Sequence, residues 1–240
     1  MYSKFALYYD KLGWDRYSYR FFYALLPLLK ENGGGRSLLD LGCGTGTLAK
    51  EAAKNGFLVD GVDICEEMIA VAESKNRPGR SNFYVGDLCA FSVPRKYHLI
   101  TSSYTLDHLL TSDHLYTAFL NVKRHLKEGG CFTFDLKDKR SKGDNRDYRG
   151  FRVQARDYLI VRRNFVDNLN GLVTKKLFLS VKNDSQRYVT IRGSLKERGY
   201  TKEEVKEVLF QAGFSEAHVL DLEGIEPKND GEKRIFWQVM

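Results

Sequence analysis

Between Ser37 and Asp63 the chain reads SLLDLGCGTGTLAKEAAKNGFLVDGVD, and that spacing admits few folds. Leu38 and Leu39 open a short apolar run, Gly42, Gly44 and Gly46 form a tight turn, and Thr47 to Lys54 has a helical pattern. A second apolar run, Phe57 to Val62, ends in Asp63. Strand, glycine loop, helix and strand in that order build a parallel sheet, with the loop at the carboxyl edge of the first strand, where open α/β sheets take ligands. Glycine suits the loop because the main chain must adopt positive φ and a ligand must approach it with no Cβ in the way. Asp63 is placed to accept hydrogen bonds from the two hydroxyls of a ribose.

Two cofactor classes share this geometry. A dinucleotide fingerprint runs G-x-G-x-x-G with a pyrophosphate at the helix amino terminus, whereas this loop is G-x-G-x-G preceded by Asp40. A carboxylate under the loop repels a pyrophosphate and suits a cation. The stretch LLDLGCGTG resembles the first motif of the class I S-adenosylmethionine-dependent methyltransferases, and Asp63, followed by Ile64, falls on that family's ribose-binding acid. The bland alternative is a βαβ unit whose glycines only turn the chain. A nicotinamide oxidoreductase is the runner-up at the level of fold.

With 240 residues, 42% of them hydrophobic and only four prolines, the chain suits one ordered domain with a modest insertion. No apolar run reaches the ~18 to 20 residues of a membrane span, and the amino terminus lacks the apolar core of a signal peptide; a cytoplasmic protein is expected. The four cysteines have no C-x-x-C spacing, which points to buried free thiols and to no metal site. Charge is unevenly spread. Lys137 to Arg198 holds 17 Lys plus Arg against 7 Asp plus Glu, so the remainder of a chain of net charge +7 is slightly acidic. That segment can meet an anionic partner, or its cations can simply guard strand edges.

In chain order, residues 2 to 31 read as helical, ended by Gly33-Gly34-Gly35. Glu66 to Lys75 reads as a crossover helix with Met68 turned to the sheet or a bound adenine. Asn82 to Val85 and Tyr97 to Ser102 read as strands, Asp113 to Leu126 as a helix, and LKEGGCFTFDL as a glycine turn and a fifth strand that Asp135 closes. After Lys137 the pattern becomes strands alone, read as a three-stranded meander. Thr201 and Glu204 form a capping box for the next helix, and Ala217 to Leu222 and Arg234 to Met240 supply two last strands.

The resemblance extends over these elements. FALYYDKL is similar to an amino-terminal Tyr-Asp element that lies over the cofactor in small-molecule methyltransferases, which implies a site role for Tyr9 and, more weakly, Tyr17. Gly86-Asp87-Leu88 matches the element that holds adenine through Asp87 and the Leu88 backbone. Tyr104, Asp107 and His108 follow the fourth strand where the family builds its methyl-transfer floor. His108 is the candidate proton acceptor, or else a capping or core histidine; Tyr9 and Tyr104 are the aromatics near the methyl.

What the resemblance implies is a Rossmann-like, seven-stranded, mostly parallel sheet with helices on both faces and an inserted small antiparallel sheet. Residues 1–136 and 199–240 would bind S-adenosylmethionine, leaving S-adenosylhomocysteine as product, and residues 137–198 would cover the substrate or form a homodimer surface. The expected reaction is in-line methyl transfer to nitrogen or oxygen of a small, anionic acceptor, similar to the sugar N-methyltransferase and glycine N-methyltransferase-like group. The alternatives are RNA as acceptor, which the charge also suits, and a non-catalytic S-adenosylmethionine-binding protein.

Overall fold

In the computed structural model, which describes residues 2–31, 35–76, 79–139, 150–167, 169–183, 185–222, 225 and 233–240, β1 (Ser37–Leu41) lies in the middle of a seven-stranded sheet. Leu38, Leu39 and Leu41 are all at most 1% exposed, so both faces of the strand need cover, as in parallel sheets generally. β1 pairs in parallel with β2 (Leu58–Asp63) on one side and with β4 (Tyr97–Ser102) on the other. β3 (Ser81–Val85) extends the sheet beyond β2, and β5 (Leu126–Lys137) extends it beyond β4. The chain therefore reverses its direction of growth between β1 and β4, which is where a crevice opens at the carboxyl ends of the strands. β11 (Arg234–Val239) runs antiparallel to β5, and β10 (Ala217–Leu220) completes that edge antiparallel to β11.

An apolar layer covers each face. α5 (Ser112–His125) and α6 (Lys202–Gln211) cover the face where Phe119, Phe132, Phe134, Val205 and Trp237 meet. α2 (Arg16–Glu31) and α3 (Thr47–Lys54) cover the other, with Phe21, Phe22, Leu25, Leu38 and Leu48. α4 (Glu66–Lys75) crosses from β2 to β3. The capping box forms as expected: Thr201 Oγ1 accepts from the Glu204 N–H, and the Glu204 carboxylate accepts from the Thr201 N–H. The expected break at Gly33-Gly34 lies outside the described residues.

Two expectations are corrected. The amino terminus is not one helix: α1 (Tyr2–Phe5) passes into a 3-10 turn, Ala6–Tyr8, and an irregular stretch precedes α2. Gly13 takes a φ of 72° there, and Asp10 and Asp15 make tertiary bonds described below. The inserted sheet has four strands, β6 (Gly150–Gln154), β7 (Tyr158–Asp167), β8 (Leu172–Lys182) and β9 (Tyr188–Arg198), all antiparallel in that order. β7 escapes a period-two reading because its inward positions include Arg162 and Asn164 beside Ile160. The inner face is thus divided. Ile160, Leu177, Leu179, Val181 and Ile191 pack on Phe5, while Arg162, Asn164, Lys175 and Glu197 make its other half polar.

All four cysteines are free, with Cys43 and Cys131 buried but Cys65 and Cys89 partly exposed. No helix among the described residues is long and apolar enough to cross a membrane.

Candidate active site

The glycine loop, Asp63, Asp87 and Tyr104 follow or close β1, β2, β3 and β4, so one rim of the sheet gathers the groups singled out in the sequence. Gly42, Gly44 and Gly46 have φ of 71°, 52° and 74°, a backbone that side chains other than glycine's seldom permit. Their surroundings differ. A Cβ on Gly42 would stand 2.2 Å from Thr105 Oγ1, whereas one on Gly44 would meet nothing within 4 Å. Gly42 is therefore a packing glycine, and the main chain at Gly44 is the part open to a ligand. The Gly42 N–H is committed to the fold, donating to the Val62 carbonyl at 2.7 Å.

Asp63 is wired to the loop. Its Oδ2 accepts from the Gly44 N–H at 2.9 Å and its Oδ1 from the Cys65 N–H at 2.9 Å; burial pushes its carboxyl up, and those two donors oppose the rise. Asp40 lies 2% exposed at the end of β1 with a 3.3 Å bond from Thr101 Oγ1. Burial pushes its carboxyl up to about 7 despite that bond, and the charge of Asp63 adds to the rise. Met68 is buried in α4 and Ile64 is exposed. Asp87 is exposed, its carboxylate accepting from the Cys89 N–H at 2.8 Å, and Leu88 is half-buried against the core.

The amino-terminal segment lies over this loop and is fastened to it. Thr45 Oγ1 donates to Asp10 at 2.6 Å, Lys75 forms an ion pair with Asp10 and donates to Thr45 and Thr47, and Thr47 donates to Asp15 at 3.3 Å. Tyr9 packs edge-on against Trp14 with ring centroids 5.5 Å apart; burial raises the pKa of its hydroxyl, and the charge of Asp63 adds to the effect. Tyr2, which no motif marks, reaches into the same cleft. Its hydroxyl lies 2.9 Å from His108 Nε2, while His108 Nδ1 lies 3.2 Å from the Lys196 carbonyl. A carbonyl only accepts, so Nδ1 carries a proton, and in the neutral ring Nε2 accepts from Tyr2.

A buried ionic network supports Tyr104. This residue holds a φ of 54°, a conformation a bulky side chain adopts only when its surroundings enforce it. Its N–H donates to Asp135 Oδ1 at 2.8 Å, and the Arg234 guanidinium sits 4.2 Å from its ring centroid. Asp135 also accepts from the Tyr17 hydroxyl at 2.7 Å and pairs with Arg234, which pairs in turn with Asp107 at 2.7 Å. Glu197 on β9 takes Lys137 from β5 and, at 2.8 Å, Lys175 from β8. Burial alone would raise the Glu197 carboxyl, but the Lys175 and Lys137 ammonium groups outweigh it and hold the group well below the usual carboxylate range. Lys175 Nζ stands 3.5 Å from the Tyr104 hydroxyl.

Tyr17 and Asp107, both expected at the pocket, are thus members of this network, 8% and 1% exposed. Sequence reasoning missed Tyr2, Lys175, Glu197 and Arg234. Only Lys175 left a signal: on an alternating strand, Lys175-Lys176 must turn one cation to the apolar face.

Residues 38–130 match a family model described as a methyltransferase domain. A protein of Geobacillus sp. (strain WCH70) that bears a methyltransferase name is 26% identical over 98% of both chains. The S-adenosylmethionine-dependent methyltransferase of Clostridium acetobutylicum has a TM-score of 0.80 at 27% identity, covering 99% of this chain and 98% of its own. A sugar N-methyltransferase of Streptoalloteichus sp. shares the fold, with a TM-score of 0.67 at 18% identity over 89% of this chain and 83% of its own. With a glycine loop open at Gly44, an acid closing β2 and this strand order, the chain carries a methyltransferase domain over residues 38–130 and has along its whole length the fold of the class I S-adenosylmethionine-dependent methyltransferases.

Proposed function

We propose that the enzyme transfers a methyl group to nitrogen or oxygen of a small, anionic acceptor seated between the cofactor cleft and the inner face of the four-stranded sheet. The observation that carries this reading is the polar half of that face, where Lys175 closes on Tyr104 and Arg162 and Asn164 lie beside it in register. Residues 1–136 and 199–240 then hold the cofactor and residues 137–198 the acceptor. The shared fold of a sugar N-methyltransferase supports a small acceptor.

S-adenosylmethionine supplies an activated methyl group on a sulfonium. The chain's part is to align the partners and exclude water. The open main chain at Gly44 and the Asp40 carboxyl fit a cationic amino-acid end. Asp63 has lone pairs left over from its two backbone donors for ribose hydroxyls; Asp87 and the Leu88 backbone receive the adenine, beside Ile64 and Met68. Tyr9 and Tyr104 offer π faces to positive charge. His108 Nε2 takes a proton from the acceptor through the Tyr2 hydroxyl that already donates to it. Arg162 and Lys175 place positive charge on the inner face toward an anionic acceptor, Lys175 also pairing with Glu197.

The test is a labelled-methyl screen of cell extract separated into small-molecule and RNA fractions. Label entering the small-molecule fraction, and falling at least tenfold in rate with Tyr2→Phe or His108→Gln, supports the reading. Label confined to RNA refutes it.

A further inference from the structure

The basic excess of the insertion does not face the acceptor. Of the described cations on the four strands, Arg162 and Lys175 point inward, Arg198 turns to Glu204 and the Leu110 carbonyl, and Lys182 pairs with Asp157, while Arg152, Arg163, Lys176, Arg192 and Lys196 turn to solvent. On the outer face Arg163 stands directly opposite Lys176, and Lys196 lies one row away, opposite Thr174. In another row Arg152, Val161, Phe178 and Arg192 follow one another across all four strands. Among the described residues the acids at this face are Asp167, at its rim and already accepting from the Leu169 and Asn170 N–H groups, and Asp157, beside the start of β7 and 3.7 Å from Lys182.

Aromatic rings are interleaved with these cations. Phe165 is 52% and Tyr188 59% exposed. Lys176 lies 5.0 Å from the Phe165 centroid, Lys182 5.5 Å from Tyr188, and Arg192 5.7 Å from Phe178. Edge protection explains charges on β6 and β9, but it does not explain a like-charged pair across the central strands, which costs stability, or exposed rings among the cations. A second copy of the chain is a poor occupant, because a two-fold contact would set this cationic face against itself.

We propose that the outer face of the four-stranded sheet binds single-stranded nucleic acid, its cations neutralising phosphates while Phe165, Phe178 and Tyr188 stack on bases. The platform is turned away from the cleft, so it is a site separate from the acceptor pocket and independent of what that pocket holds.

Fluorescence anisotropy with short labelled oligo-U and oligo-dT, titrated against the full chain between ~50 and ~200 mM salt, tests it. Both strands are expected to bind, with log affinity falling by about 0.7 per neutralised phosphate for each decade of salt. Arg163→Glu with Lys176→Glu should weaken binding at least tenfold and flatten the salt slope. Phe165→Ala with Tyr188→Ala should weaken it roughly tenfold at every salt concentration and leave the slope unchanged. Tighter binding of oligo-U than of oligo-dT marks RNA as the natural strand, and equal binding supports the platform for either. No binding, an aromatic variant with wild-type affinity, or equal retention of both variants on phosphatidylglycerol vesicles overturns the proposal. S-adenosylhomocysteine affinity, measured on the same variants by calorimetry, should stay at the wild-type value. Its loss would instead point to misfolding, and the single variant Arg192→Ala, with a tenfold or smaller loss of strand affinity expected, then decides.

Discussion

Asp40 is the residue expected to make cofactor binding depend on pH. Its carboxyl titrates near 7 in the fold against 3.8 ordinarily, so folding takes up a proton between those values. Burying the group is most costly above about pH 7, and the cost is relieved as pH falls toward 4. A bound cation acts in the opposite sense by favouring the carboxylate. S-adenosylmethionine affinity, measured by calorimetry, is therefore expected to weaken as pH is lowered from about 8 to about 6, by up to tenfold for each unit below 7. Asp40→Asn should flatten that profile and raise the melting temperature of the cofactor-free protein more at the higher pH than at the lower. A flat wild-type profile would remove Asp40 from the cofactor's charge balance. Asp63 predicts a simpler result. Charge-assisted hydrogen bonds are worth about 1.5 to 3 kcal/mol, so Asp63→Ala should weaken cofactor binding roughly 10- to 100-fold, and unchanged affinity would reject the ribose assignment.

The seam between the four-stranded sheet and β5 depends on one carboxylate. Glu197 lies between Lys137 and Lys175, all three at most 4% exposed. Glu197→Gln leaves two ammonium groups buried against each other, a change that should cost about 3 to 5 kcal/mol in urea unfolding; adding Lys175→Met should recover part of the loss. Because the folded carboxyl lies below its ordinary 4.5, its stabilising effect is complete above that value and is lost as pH falls below it. Amide exchange in β9 should then rise in acid, and a variant as stable as wild type would show that the ion pairs are dispensable. The same seam shows what could be read from sequence. β4, α4 and the Thr201 cap emerged from local pattern, and so did the loop and Asp63. β7 did not, because Arg162 and Asn164 occupy inward positions only a tertiary partner can justify. Gly13 apart, the irregular amino terminus also had no local cause, since Asp10 finds Lys75 and Thr45 far along the chain. The Tyr2–His108 contact joins residues 106 apart, and no spacing rule records such a meeting.

The amino-terminal segment ties the three working parts of the molecule together. Phe5, 0% exposed, sits among Ile160, Leu177, Leu179, Val181 and Ile191 of the four-stranded sheet. A few residues on, Asp10 and Asp15 are fastened to the glycine loop and to Lys75, and Tyr2 meets a histidine whose other nitrogen is held by the β9 backbone at Lys196. A ligand that orders this segment therefore orders the sheet as well, through packing rather than direct contact. S-adenosylhomocysteine should slow amide exchange in Tyr2–Asp15 and, together with it, in β8 and β9. Phe5→Ala removes the apolar link and leaves Asp10 and Lys75 in place, at a cost of about 3 to 5 kcal/mol. In that variant the product should still protect residues 9–15, while the response of β8 and β9 should shrink. If the sheet responds as fully as in wild type, the coupling runs instead through Tyr104, Lys175 and Glu197, and Glu197→Gln should abolish it.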